Sequence, residues 1–354
     1  MLITISSEAT SDERSQLMNL LCRLTGSQQP LAAVRIDKQE VIALEGKALD
    51  LDARKAIAEQ AAVERTISVK TPYKLVSKAL KQETVITIGS GENLIRLGGS
   101  DNPPVVIAGP CAVESKEQLL QTARAVRAAG AQILRGGAFK PRTSPYQFQG
   151  LGIEGLHLLA EAREETGLPI ITEVMEPGMV ETVGAFADIL QIGSRNMQNY
   201  SLLQAAGRNS FGRPVMLKRG LSSTLDEWLL AAEYVVAAGN PNVILCERGI
   251  RSFDPQTRNM FDLTCVPLLH ELTHLPIVVD PSHATGKREL VPTMSRAGIA
   301  AGANGLILET HIDPDNALCD GRQSITPAQL KGIVQETRLL TQLFKGSLSL
   351  THVA

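Results

Sequence analysis

From Pro104 onward the chain carries eight short apolar runs without strict alternation, spaced roughly 20 to 40 residues apart. They are Val105–Ala108, Ile133–Leu134, Ile170–Thr172, Ile189–Ile192, Val215–Leu217, Val243–Leu245, Ile277–Val279 and Gly305–Leu308. A strand that faces water on one side alternates apolar and polar residues; one that is apolar on both sides is buried on both sides. Helical patterns lie between the runs, for example over Glu117–Ala129, Leu225–Ala238 and Leu290–Ala301. Eight buried strands alternating with helices predict a parallel sheet, and eight such units can close into an α/β (β/α)8 TIM barrel. An open doubly wound sheet is the alternative. A barrel takes about 250 residues, so a chain of 354 residues leaves room for a second unit.

The N-terminal residues supply one. Leu2–Ser6 alternates like a strand, Ser11–Leu24 has helical spacing, and Ala32–Ile36 and Glu40–Leu44 read as strands about the turn Asp37-Lys38-Gln39. Leu51–Gln60 reads as a helix and Ala62–Lys70 as a last strand. The order βαββαβ is that of a small ferredoxin-like α+β unit. Residues 1–70 are therefore expected to form that unit and 71–100 a linker with a β-hairpin, Val85–Ile88 and Asn93–Leu97 about Gly89-Ser90-Gly91. Residues 101–354 are expected to form the barrel.

A net charge of −2 argues against a phosphate backbone or acidic membrane as the main partner. No apolar run reaches spanning length, and Met1-Leu2-Ile3-Thr4-Ile5 lacks the basic start of a signal peptide. Cys22, Cys111, Cys246, Cys265 and Cys319 are odd in number and widely spread, as expected of free thiols in a reducing, cytoplasmic setting.

In a (β/α)8 barrel the functional groups sit at the C-terminal ends of the strands. Here the eight ends run into Cys111, Arg135 with Lys140-Pro141-Arg142-Thr143, Glu173, Arg195, Lys218, Cys246-Glu247-Arg248, Asp280-Pro281-Ser282-His283 and Glu309-Thr310-His311. One such residue is more often a solvated loop charge; a set spread over all eight ends is not. Arg135, Lys140, Arg142, Arg195, Lys218 and Arg248 would ring one mouth and repel one another without anionic ligands. Guanidinium groups offer bidentate contacts to phosphate and carboxylate, and ammonium groups act as point charges. Six of them suit two phosphates and a carboxylate. Cys111, His283, Glu309 and Asp320 form a mixed thiolate, imidazole and carboxylate set that suits several divalent metals, among them Mn²⁺, Fe²⁺, Zn²⁺ and Co²⁺. Cys111 taken singly could as well be a buried structural thiol.

The stretches Val106–Cys111, Leu134–Tyr146 with its Lys140-Pro141-Arg142-Thr143, Gln191–Asn196, Leu217–Gly220, Leu245–Gly249 and Asp280–His283 resemble the 3-deoxy-7-phosphoheptulonate (DAHP) synthases, in particular their type I beta branch. The resemblance covers essentially the whole chain. It implies a metal-dependent enzyme that joins phosphoenolpyruvate to erythrose 4-phosphate, the first step toward the aromatic amino acids. It implies that Cys111, His283, Glu309 and Asp320 hold the metal. Arg135, Lys140 and Lys218 would meet the phosphoenolpyruvate carboxylate and reacting end, with Arg195, Lys218 and Arg248 at its phosphate. Arg142 and Thr143 would hold the aldose phosphate. The catalytic group would comprise Lys140, a proton donor to the new alkoxide, with Cys111 and His283. A sister family makes 3-deoxy-octulosonate 8-phosphate from arabinose 5-phosphate and typically has Ala-Asn after the lysine, so Pro141-Arg142-Thr143 favours erythrose 4-phosphate. The N-terminal unit resembles a domain that implies control by an aromatic amino acid, Tyr or Phe, and the family expectation is a homotetramer. His311 receives no role from the resemblance and reads as a loop histidine.

Two decoys remain. His270-Glu271-Leu272-Thr273-His274 matches the HExxH zinc-peptidase pattern, but it leads into strand 7 from the mouth opposite the cations. Lys218 on a barrel strand could form a Schiff base. Cys319, beside Asp320, reads as a bystander thiol, with a reversible disulfide to Cys111 as the rival reading.

Overall fold

The computed structural model describes residues 1–26, 33–44, 49–89 and 94–350, with side chains through residue 344. The first elements are β1 (Leu2–Ile5), α1 (Ser11–Thr25), β2 (Ala33–Ile36), β3 (Gln39–Ala43), α2 (Leu51–Ala58) and β4 (Val63–Ile67). That is the βαββαβ order read from the sequence, in an antiparallel sheet of order β2-β3-β1-β4. Helix α1 starts at a capping box, in which Thr10 and Glu13 satisfy each other's backbone N–H groups, and stops at Gly26 in the left-handed conformation. The period of two sorts the strands' side chains. Ile3, Ile5 and Ile42 pack under α1 and α2 with Leu17, Leu21 and Ile57. Leu2, Val34, Ile36 and Val41 join the core that runs through Tyr73, Leu75, Val76 and Leu80 into the barrel.

The linker is fastened to the barrel by backbone groups. Glu233 accepts the N–H groups of Lys74, Leu75 and Val76 at 2.9, 2.8 and 3.0 Å. His274 bridges Leu75 O and Thr84 Oγ1, both at 2.8 Å. The hairpin strands β5 (Ile86–Ile88) and β6 (Ile95–Leu97) pair antiparallel. The expected turn at Ser90-Gly91 lies outside the described residues.

The barrel strands are β7 (Val105–Gly109), β8 (Ile133–Arg135), β9 (Ile170–Glu173), β10 (Ile189–Ile192), β11 (Val215–Lys218), β12 (Val243–Glu247), β13 (Ile277–Val279) and β14 (Gly305–Glu309). They form one closed parallel barrel in which β14 pairs with β7, so the open-sheet alternative falls away. The surrounding helices are α3 (Lys116–Ala129), α4 (Ile153–Thr166), α5 (Val180–Phe186), α6 (Tyr200–Gly207), α7 (Leu225–Ala237), α8 (Cys265–Leu272), α9 (Pro281–Thr285), α10 (Val291–Ala300) and α11 (Pro327–Leu350). Side chains alternate between the lumen and the helical layer. Val105, Ile107, Ile133, Ile171, Ile189, Met216, Ile244, Val278 and Ile307 fill the interior. Val106, Ala108, Leu134, Leu190, Leu217, Leu245, Val279 and Leu306 face the helices. Ile86, Ile88 and Leu97 of the hairpin belong to the interior cluster and close the end of the barrel at which the strands begin.

No described helix is long and apolar enough to cross a membrane. The HExxH pattern is broken: α8 ends at Leu272, Thr273 is extended, and His274 leaves the helix to bind the linker. His270 contacts Gly302 O at 2.9 Å.

Candidate active site

The alternation that fills the lumen with aliphatic groups also sets the chemistry of its upper end. Two residues beyond the last apolar inward side chain of a strand comes another inward position, and there the sequence turns polar: Arg135 follows Ile133, Glu173 follows Ile171, Gln191 follows Ile189, Lys218 follows Met216 and Glu309 follows Ile307. Several of these polar residues are the last residues of their strands rather than the first of the loops, so the sheet's own hydrogen bonds fix their Cα positions. They open into a cavity of about 450 Å³ lined by Arg135, Lys140, Arg142, Thr143, Arg195, Lys218, Arg248, His283 and Asp320, among others. All six predicted cations therefore share one mouth.

The cavity floor is a buried charge network. Asp280 Oδ2 lies 2.6 Å from Lys218 Nζ and 2.8 Å from His283 Nδ1. Burial acts to raise the Asp280 pKa, but His283 and Lys218 outweigh it and hold the carboxyl well below the usual range. Burial pushes His283 down to about 4, so at neutral pH its single ring proton sits on Nδ1 and is accepted by Asp280. The Nε2 lone pair then faces Glu309 Oε1 at 3.3 Å. Glu309 Oε2 accepts from Gln323 Nε2 at 2.6 Å. Arg135 Nη2 is 3.2 Å from Glu309 Oε1, while Arg135 Nε and Nη1 are buried donors without a partner. An ion-paired Lys218 fits a fixed cation and not the neutral amine that a Schiff base needs.

Beside this network, Cys111 Sγ lies 3.4 Å from Asp320 Oδ2 and 3.0 Å from Cys319 Sγ. Burial, followed by the hydrogen bond to Cys319, pushes the Cys111 thiol well above its ordinary pKa. Cys319 is thus no bystander in position: Arg142 Nη1 also donates to its sulfur. Burial works to deprotonate Lys140, but the negative groups around it, Glu309 among them, prevail and raise its pKa.

Whether a divalent ion fits can be asked of these atoms. His283, Glu309 and Asp320 bring one donor atom each within 4.8 Å of one another, as do Cys111, Cys319 and Asp320. An imidazole lone pair and a carboxylate oxygen 3.3 Å apart, both buried, repel each other unless a cation lies between them. A thiol with a raised pKa becomes a thiolate only beside such a charge. The donor set fits.

Sequence reasoning missed Arg251, Arg258 and Asn259, which also line the cavity, and Gln323. Arg258 Nη1 lies 3.5 Å from Asp320 Oδ2 and donates to Gln323 Oε1 at 2.7 Å. Asn259 Nδ2 donates to His283 O at 2.9 Å. These residues lie well past their strands, where the strand-end rule gives no signal. Thr143 Oγ1 accepts from Arg195 Nη2 at 3.4 Å.

Comparison with known proteins agrees with this geometry. A Thermotoga maritima protein named phospho-2-dehydro-3-deoxyheptonate aldolase is 44% identical over 324 residues, covering 91% of this chain and 90% of its own length. A Syntrophotalea carbinolica protein named 2-dehydro-3-deoxyphosphooctonate aldolase is 34% identical over 267 residues, 70% of this chain and 95% of its own. The crystal structure of phospho-2-dehydro-3-deoxyheptonate aldolase (DAHP synthase) from Thermotoga maritima superposes with a TM-score of 0.74 at 39% identity, covering 97% of both chains. A truncated form of 3-deoxy-D-arabino-heptulosonate 7-phosphate synthase from the same organism gives 0.69 at 43% identity, over 77% of this chain and 97% of that one. Residues 83–345 match the DAHP synthetase I family, and since that span holds the whole barrel and its cationic mouth, the chain belongs to this family.

Proposed function

We propose that the chain is a 3-deoxy-7-phosphoheptulonate synthase that condenses phosphoenolpyruvate with erythrose 4-phosphate and water, releasing phosphate. The observation that carries this reading is the single mouth in which six cations surround a thiol, imidazole and carboxylate set. The buried, unpartnered Arg135 donors and the ion-paired Lys218 mark the deep end for the phosphoenolpyruvate carboxylate and reacting end, with Lys140 beside them. Arg195, Lys218 and Arg248 take its phosphate. Arg142 and Thr143 take the aldose phosphate. Lys140, held protonated, is placed to give a proton to the oxygen that becomes an alkoxide as C3 of phosphoenolpyruvate bonds to the aldehyde carbon. Water then adds at C2, and the phosphate leaves from the tetrahedral carbon toward the guanidinium groups that bound it.

Cys111, His283, Glu309 and Asp320 would hold one divalent ion. Such an ion supplies Lewis acidity toward the aldehyde oxygen. Asp280, accepting from Nδ1, keeps the His283 tautomer that presents Nε2 to it.

The identity of 44% to the heptulosonate enzyme against 34% to the octulosonate one, together with Lys140-Pro141-Arg142-Thr143, supports the four-carbon aldose over arabinose 5-phosphate. A phosphate-release assay with each aldose, with and without chelator, tests the reading. Turnover with erythrose 4-phosphate, lost on chelation and restored by Mn²⁺ or Co²⁺, is expected; preference for arabinose 5-phosphate, or indifference to exhaustive chelation, counts against it.

The type I beta assignment, the domain division at about residues 70 and 100, and a cytoplasmic homotetramer belong to the same proposal. The βαββαβ order supports a ferredoxin-like N-terminal unit, and the family resemblance supports Tyr or Phe as its ligand.

A further inference from the structure

Two side chains at the rim, one half-buried and one buried, have no part in the chemistry above. They are Glu114, which follows Cys111 by three residues, and His311, which follows Glu309 by two. His311 lies in a loop, as expected from the sequence, but its side chain is buried, 4% exposed. Its Nδ1 accepts the backbone N–H of Asp313 at 2.9 Å. That bond leaves the ring proton on Nε2, which faces Glu114 Oε2 at 3.5 Å without a hydrogen bond between them. The other Glu114 oxygen, Oε1, accepts the backbone N–H of Leu318 at 2.9 Å across 204 positions of sequence.

These contacts grip both ends of one loop. The segment from Ile312 to Cys319 has no regular structure beyond the 3₁₀ turn Pro314–Asn316, and it delivers Cys319 and Asp320 to the site. Asp320 has a φ of 52°, a left-handed conformation that costs a non-glycine residue about 1 kcal/mol and persists only where the surroundings impose it. The next residue, Gly321, lies so near Pro314 O that an added Cβ would come within 2.2 Å of it. The loop is therefore folded tightly on itself at the Asp320 end. Glu114 ties it to the β7 segment, the one that carries Cys111. A single carboxylate thus links the two segments that place Cys111 Sγ and Asp320 Oδ2 3.4 Å apart.

We infer that Glu114 and His311 are positioning residues that set the spacing of Cys111 and Asp320 and so govern how tightly the mouth holds a divalent ion. The inference rests on the metal reading above. Partners one shell behind a metal ligand govern affinity by fixing the ligand's place, and their loss weakens binding about 10- to 100-fold.

Titration of the chelator-stripped, full-length chain with Co²⁺, followed by thiolate-to-cobalt charge-transfer absorption, tests it. Glu114→Ala and His311→Ala are each expected to weaken Co²⁺ binding about 10- to 100-fold. Glu114→Gln and His311→Asn keep an oxygen acceptor for the Leu318 and Asp313 N–H groups and are expected to stay within about threefold of wild type, well under that range. Phosphoenolpyruvate binding to the metal-free variants should be unchanged, which separates positioning from general damage. Alanine variants that bind Co²⁺ like the wild type overturn the inference, as does a parallel loss of phosphoenolpyruvate binding. If Glu114→Ala does not fold, Glu114→Asp asks the same question with a carboxylate one methylene shorter: weaker Co²⁺ binding supports the inference and wild-type binding overturns it. Absence of Co²⁺ binding by the wild type itself would instead sink the metal reading.

Discussion

Individual side chains in this molecule carry fixed protonation states, and His274 shows the consequence for stability. It is buried, it joins the linker to the barrel through Leu75 and Thr84, and burial lowers its pKa to about 4. The unfolded chain takes up the proton near pH 6.5, the folded chain near 4. Between those values the unfolded state binds more protons, so stability falls as pH falls. The full effect is about 3 kcal/mol, complete below pH 4. Urea unfolding of the His274→Gln chain should show a flatter pH dependence across this window than wild type; identical slopes would refute the assignment. At the same scale, much of the site was legible. Cys111, Arg135, Lys218, His283 and Glu309 could be named because each stands at or just past a strand end. Arg258, Asn259 and Gln323 could not, since only tertiary folding of long loops brings them to the cavity. His311 and Glu114 were opaque for the same reason: each is defined by the other.

Among the elements, the eight barrel strands were readable because burial on both faces leaves an unbroken apolar signature; Ile189–Ile192 and Ile277–Val279 have the expected limits and the other six run one or two residues further at the polar end. The N-terminal strand expected over Ala62–Lys70 is shorter, Val63–Ile67, since its partner strand Leu2–Ile5 pairs with it only over that stretch. The linker was legible only as an interruption of pattern, and what holds it was not. Glu233 lies on the helix Leu225–Ala237 and spends both carboxylate oxygens on three consecutive backbone N–H groups. Burial raises its pKa against the pull of those hydrogen bonds. Glu233→Ala leaves three donors unmatched and should cost about 3 kcal/mol, read as a lower urea midpoint. Activity of the folded fraction should persist, because the carboxylate is remote from the catalytic mouth. A midpoint equal to wild type would show that the linker is held otherwise.

For the molecule as a whole, the N-terminal unit and the barrel share one apolar core through Tyr73, Leu75 and Val76, the contact through which the proposed sensor unit would act on the catalyst. Deleting residues 1–70 is expected to spare turnover with erythrose 4-phosphate and to abolish inhibition by Tyr or Phe. Retained inhibition would remove the unit as sensor.

The packed lumen, covered below by the hairpin, makes the site a well with one opening, and a well imposes a queue. Arg135 and Lys218 lie at the bottom, 3% and 4% exposed, whereas Arg142 and Thr143 stand nearer the lip. A reactant bound at the lip bars the way to the floor, so phosphoenolpyruvate must arrive before the aldose. Steady-state kinetics should therefore show compulsory order, with an unreactive aldose phosphate acting as an uncompetitive inhibitor toward phosphoenolpyruvate; a noncompetitive pattern would mean that phosphoenolpyruvate reaches the floor past an occupied lip.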